Sequence, residues 1–136
     1  MDMMDTGLAS NSFELVASTH VLEHVSDDMA AMRESLRLVG SEGVVHVCVP
    51  TPTHTWTTKD WGFPDPKIAE HYRDYGADFP QRIVKQIAGL SSVSVAGYDV
   101  VTGSSDLVYF FSLSEYTLEK MGRLWQSKAL ATTRLY

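Results

Sequence analysis

His20-Val21-Leu22-Glu23-His24 places two imidazoles and a carboxylate within five residues. Imidazole titrates near working pH, so His20 or His24 can serve as a general base toward a hydroxyl or an amine. The spacing His-x-x-Glu-His is also that of an inverted zinc-peptidase pattern. That chemistry needs both histidines on one helical face, one turn apart, with the glutamate activating a zinc-bound water. The flanking residues argue otherwise. Phe13-Glu14-Leu15-Val16-Ala17-Ser18 is a short, mostly apolar strand running up to Thr19, and helix-capping residues come only at Ser26 and Asp27. The five residues are therefore expected to form a turn at a strand end. In that turn Glu23 and His24 either take part in chemistry or hydrogen-bond to backbone and hold its shape.

The neighbouring elements must position that turn. Met29, Met32, Leu36 and Val39 recur at spacings of three and four, one face of an amphipathic helix. Ser26 or Asp27 can cap its first amides, and the Asp27-Asp28 pair suits the positive end of the helix dipole. Arg33, Glu34 and Arg37 are expected on the solvent side. Gly40 and Gly43 close the helix, and Val44-Val45-His46-Val47-Cys48-Val49 follows. This run is apolar on both faces apart from His46, the pattern of a central strand covered on two sides and usually parallel to its neighbour. A strand–helix–strand unit results, and in open α/β sheets ligands bind at the carboxyl ends of strands. The turn at His20 stands there.

Thr51 to Tyr75 is long, rich in Pro, Thr and aromatics, and without periodicity; it is expected to be a loop of the kind that often acts as a lid. Within it Trp56, Trp61 and Phe63 are expected either to line an apolar substrate pocket or to pack the loop onto the sheet. Arg73 can bind an anionic substrate group bidentately, or pair with Asp74 or Asp78. Asp78 can cap a second helix that buries Phe79, Ile83, Ile87 and Leu90, with Pro80 tolerated in its first turn. Val93 to Val101 and Leu107 to Leu113 read as a hairpin joined through Thr102-Gly103-Ser104-Ser105-Asp106. Leu118, Met121, Trp125 and Ala129 then outline a last amphipathic helix.

With 136 residues, 44% hydrophobic and 21% charged, the composition is that of an ordinary globular domain. A formal net charge of −6 argues against nucleic acid or an anionic membrane as partner, since both select basic surfaces. The single cysteine, Cys48, excludes a disulfide framework and a cysteine zinc cluster; within a β-branched run it is expected to be a buried, structural thiol. The start, Met1-Asp2-Met3-Met4-Asp5, has neither the basic nor the apolar region of a signal peptide. No apolar run approaches the length of a bilayer span, and a cytoplasmic setting is the expectation.

The run SFELVASTHVLEHVSDDMAAMRESLRLVGSEGVVHVCVP resembles the fourth strand, following helix and fifth strand of class I S-adenosylmethionine-dependent methyltransferases of the type 11 kind. A weaker likeness continues through HYRDYGADFPQRIVKQIAGL. The resemblance implies a partial Rossmann-like α/β fold, with parallel strands, an antiparallel carboxyl-terminal hairpin and helices on the sheet faces. With composition and apolar spacing it divides the chain into a flexible lead-in (1–11), the carboxyl-terminal half of a methyltransferase-like domain (12–113) and, beyond the resemblance, a carboxyl-terminal amphipathic helix (114–136).

The activity implied is methyl transfer from S-adenosylmethionine to a small-molecule acceptor. By resemblance Ser18, Thr19 and His20 meet the methionine portion of the cofactor, with Leu22 just past them; beside that, His20 or His24 is the candidate catalytic base, and Trp56, Trp61 and Arg73 are the candidate substrate-facing residues. Some methyltransferases acting on RNA 2′-hydroxyls or catechols carry Glu-x-x-Glu-His here and bind a divalent metal. His20 stands at the first glutamate position, which weakens Mg²⁺ binding, so no metal is expected. The glycine-rich strand-turn and the acidic ribose ligand of the family do not precede Ser12. The expectation is therefore weak cofactor binding, or none, by this chain alone. The alternative is a non-catalytic remnant or interaction module whose first strand, an open edge, pairs with a second copy or with a missing amino-terminal half.

Overall fold

The helix after the His20 turn forms where the apolar spacing places it. α1 (Asp28–Val39) begins at Asp27, whose carboxylate accepts from the Ala30 amide at 2.9 Å, an N-cap. It ends at Gly40, whose φ of +71° places the chain in the left-handed region that glycine enters without strain. Met29, Met32, Leu36 and Val39 are buried as their periodicity requires. The computed structural model describes residues 2–50, 55–98, 101, 103, 105–127 and 132–133.

β1 (Leu15–Thr19) and β2 (Val44–Cys48) flank α1 and run parallel, with Leu15 opposite Val44 and Thr19 opposite Cys48. β5 (Ser91–Tyr98) and β6 (Ser105–Ser112) form the anticipated antiparallel hairpin. Of its expected connection, Thr102 and Ser104 lie outside the described residues. β6 inserts between β2 and β5, and β7 (Thr132–Thr133) extends the far side, giving the order β1-β2-β6-β5-β7. The fold is α/β, a mixed sheet that contains one parallel pair. β1 ends the sheet: among the described residues no strand pairs with its outer side. Phe13 and Leu15 are 45% and 54% exposed there.

The alternation of β2 divides the interior. Val45, Val47 and Val49 join α1, Tyr109 and Phe111 in one apolar cluster, together with Phe79 and Ile83 of α2 (Phe79–Val84). Each fully buried aliphatic or aromatic side chain of this kind contributes about 1.5–3 kcal/mol. On the opposite face His46 meets Phe110, which stacks on Trp125 of α3 (Glu115–Ser127). Ala129, expected to continue α3, lies outside the described residues.

Four expectations are corrected. The stretch before Tyr75 is not a plain loop: β3 (Lys59–Asp65) and β4 (His71–Asp74) pair antiparallel as a separate two-stranded ribbon. Pro52, at its start, lies outside the described residues. Glu34 does not point to solvent but is covered by the chain's first residues, accepting from the Thr6 amide and hydroxyl and from Arg37. The lead-in is accordingly tied down, with Arg37 also donating to Ser10 Oγ and the Leu8 carbonyl. Finally, α2 is short, and Asp78 does not cap it through its side chain; that carboxylate instead accepts from the Thr58 amide and hydroxyl at 2.7 Å.

Candidate functional site at the end of the first strand

β1 ends at Thr19, and His20 turns the chain with a φ of +52°, a left-handed conformation uncommon for residues other than glycine. The His20 amide still donates to the Cys48 carbonyl at 2.9 Å, so the turn hangs directly from β2. Leu22–His24 then forms a single 3₁₀ turn, closed by the His24 amide donating to Val21 O, before Asp27 opens α1. The two imidazoles are not neighbours on one α-helical face. As expected, this is a strand-end turn and not a peptidase helix.

The turn is held from beneath by β4. Arg73, 2% exposed, donates to the carbonyls of Leu22 (3.1 Å), Val25 (2.6 Å) and Ser26 (2.9 Å) and to Asp60 Oδ2 (2.8 Å). Asp28 closes the network, pairing with Arg82 and accepting from the Tyr75 hydroxyl at 3.0 Å. Burial, and then the Asp28 carboxylate, push the Tyr75 phenol far above its ordinary pKa, so it stays a neutral donor. These contacts correct the assignment of Arg73 to substrate, because its donors are committed to the interior of the turn.

The other sequence candidates divide in the same way. Leu22 is fully buried, with its carbonyl accepting from Arg73 and Tyr75, and so does not face a ligand. Ser18 is buried beside Met3, its hydroxyl 4.0 Å from the Met3 sulfur. Trp56 is 83% exposed. Trp61 packs the ribbon, its indole N–H donating to the His71 carbonyl at 2.8 Å. Thr19, His20 and His24 remain open to solvent at the strand end.

Between those open residues lies Glu23, 1% exposed, with neither carboxylate oxygen hydrogen-bonded. Its Oε1 stands 3.7 Å from His20 Nδ1 and 3.9 Å from His24 Nε2. A buried carboxylate without hydrogen bonds is costly unless a cation or donor compensates it. His71 of β4 completes the group, its ring edge-on to His24 with centroids 4.7 Å apart. Sequence reasoning placed His71 only before the second helix; the β4 contact with the turn, a tertiary feature, brings it here.

A second cluster, His20, Cys48 and Asp106, lies on the other side of the strand end. Burial, and then Asp106, raise the Cys48 thiol to about 11, in keeping with an unreactive structural thiol. His46, on the sheet face, is held below its ordinary pKa by burial. Among the described residues no helix is long and apolar enough to cross a membrane.

The family described as methyltransferase domain matches residues 1–47, a span that takes in the lead-in, β1, the turn, α1 and most of β2. No curated protein matches the chain.

Proposed function

Because its amino-terminal end matches a methyltransferase domain, we propose that this chain is the strand-end portion of a class I S-adenosylmethionine-dependent methyltransferase. In this reading the sheet is part of a Rossmann-like fold, working in the cytoplasm on a small-molecule acceptor. The observation that carries the reading is the coincidence of that match with a strand end where a left-handed histidine, an open threonine and an unsatisfied buried carboxylate meet. S-adenosylmethionine supplies an electrophilic methyl group when bound. Thr19 and His20, exposed at the end of β1, fit its methionine portion, whereas Ser18 and Leu22 are covered.

His20 turns Nδ1 toward Glu23, which leaves Nε2 to take the proton of a hydroxyl or amine acceptor. Glu23 then stabilises the imidazolium that forms. His24, on the other side of the same carboxylate, can play that part for an acceptor entering from the ribbon. Much of the rate in such transfers comes from alignment, which the Arg73-held turn supports.

Calorimetric titration with S-adenosylmethionine tests this reading. Saturable binding, weak for the chain alone and further weakened by Thr19→Val and His20→Ala, is the expected result. No saturable heat at ligand concentrations up to about 1 mM (about −4 kcal/mol) contradicts it.

The open outer edge of β1, with Phe13 and Leu15 exposed beside it, favours a second reading. In this one the chain is an interaction module that pairs along β1 with a second copy or with the remainder of a methyltransferase domain. Light scattering after size-exclusion chromatography tests it. A dimer at tens of micromolar that Leu15→Lys converts to monomer supports the homomeric form, and a monomer at that concentration removes it.

A further inference from the structure

We propose that the hollow at the carboxyl-terminal end of α1 binds a small amphiphilic carboxylate, an aliphatic chain ending in one acid group. The hollow measures about 340 Å³, within the range of small-molecule pockets. Its floor is apolar, made by Leu36 of α1, Ile87 beyond α2 and Leu113 beyond β6, the last 40% exposed. Arg33 and Arg37, one helical turn apart, stand on its rim. Arg37 is engaged by Glu34, Ser10 Oγ and the Leu8 carbonyl. Arg33 is exposed, and among the described residues its guanidinium has no ion pair or hydrogen bond. A free guanidinium receives a carboxylate through two parallel N–H donors, and the floor beside it receives hydrocarbon. In a chain of net charge −6, this pairing of open cation and apolar wall is complementary to an acid head on an aliphatic body.

The rim is fixed before any ligand arrives. Asn11 (φ +54°) and Gly40 (φ +71°) both take the left-handed conformation and press together, so that a Cβ on Gly40 would collide with the Asn11 side chain. The Asn11 and Ser12 amides donate to the Arg37 and Leu38 carbonyls, and the Gly40 amide donates to the Leu36 carbonyl. These bonds have a second effect. They occupy carbonyls whose partial negative charge at a helix end would otherwise repel an anion. Ser41, exposed beside Gly40, adds a hydroxyl to the rim. The hollow lies at the end of the sheet opposite His20, because β2 begins just after Gly43 and β6 ends just before Leu113. It shares no residue with the strand-end site, so the inference does not depend on methyl transfer.

The test titrates the isotopically labelled full chain with sodium octanoate at neutral pH and follows the amide resonances. Saturable shifts at Asn11, Gly40, Ser41 and Leu113 are expected, with Thr19 and His20 unmoved. Arg33→Ala, which breaks no contact of the fold, weakens binding about 10-fold, and Leu113→Ser weakens it as well. Octanol and octylamine, the same chain with a neutral or a cationic head, bind at least about 10-fold more weakly than octanoate. Circular dichroism checks that each variant folds, and the octanol comparison needs no variant. A dissociation constant for octanoate weaker than about 1 mM overturns the proposal. So does equal affinity for octanol, or binding that Arg33→Ala leaves unchanged. Shifts centred on Phe13 and Leu15 overturn it too, because they assign the ligand to the exposed apolar residues beside β1.

Discussion

Two groups of buried charge lie against the same short turn and are treated in opposite ways. Below it, Arg73, Asp28, Arg82, Asp60 and Tyr75 satisfy one another and three backbone carbonyls. Above it, Glu23 is as deeply buried as Arg73, yet neither of its oxygens has a hydrogen bond. Burial alone therefore does not separate scaffold from site; satisfaction does. The lower network spends its polar groups on holding the turn. The upper group leaves a carboxylate facing the open imidazoles, where a ligand or a proton can reach it.

The comparison breaks most visibly at Arg73. Arg73→Met leaves the Val25 and Ser26 carbonyls without their donor, the Leu22 carbonyl with Tyr75 alone, and Asp28 short of a partner. A loss of about 3–5 kcal/mol of unfolding free energy is expected, measured by urea denaturation. Tyr75→Phe removes one hydroxyl from the same network and should cost about 1–1.5 kcal/mol. Glu23→Gln sharpens the contrast from the other side. No hydrogen bond is lost and a buried charge is removed, so at pH 8 the change should stay within about 1 kcal/mol, on the stabilising side. A loss comparable to that of Arg73→Met would place Glu23 in the scaffold.

The smallest effect concerns the lead-in. Hydrogen bonds from Arg37, and then from Thr6, hold the Glu34 carboxyl at about 2, below its ordinary value of 4.5. A carboxyl depressed in the folded state stabilises above its unfolded pKa and loses that contribution as pH falls through the folded one. Residues 2–11 should therefore stay docked on α1 above about pH 4.5 and come away as pH falls toward 2. The Thr6 amide resonance reports this, and a change centred well above pH 4.5 would contradict it.

How far these features were legible in the sequence follows from where their causes lie. α1 was readable because Met29, Met32, Leu36 and Val39 obey a local period and Asp27 caps within three residues. The character of the His20 turn was readable for the same reason: strand and cap bracket it. The β3–β4 ribbon was not, because Lys59–Asp65 shows no two-residue apolar alternation and carries Gly62 and Pro64, with mostly exposed side chains. Arg73 looked like a substrate ligand because its partners are chiefly carbonyls more than forty residues away, which no side-chain pattern announces. Glu34 looked solvent-facing because the residues that cover it belong to no periodic element. His71 and Glu23 meet only through the packing of β4 against the turn.

The central claim is that the open groups of the turn, and not the network beneath them, receive the ligand. Nuclear magnetic resonance of the isotopically labelled chain, titrated with S-adenosylmethionine, tests this most directly. The account predicts saturable shifts at the Thr19 and His20 amides and in the His20 and His24 rings, with the Arg73 and Tyr75 side-chain signals unmoved. Shifts absent from Thr19 and His20, or centred elsewhere on the chain, would contradict it.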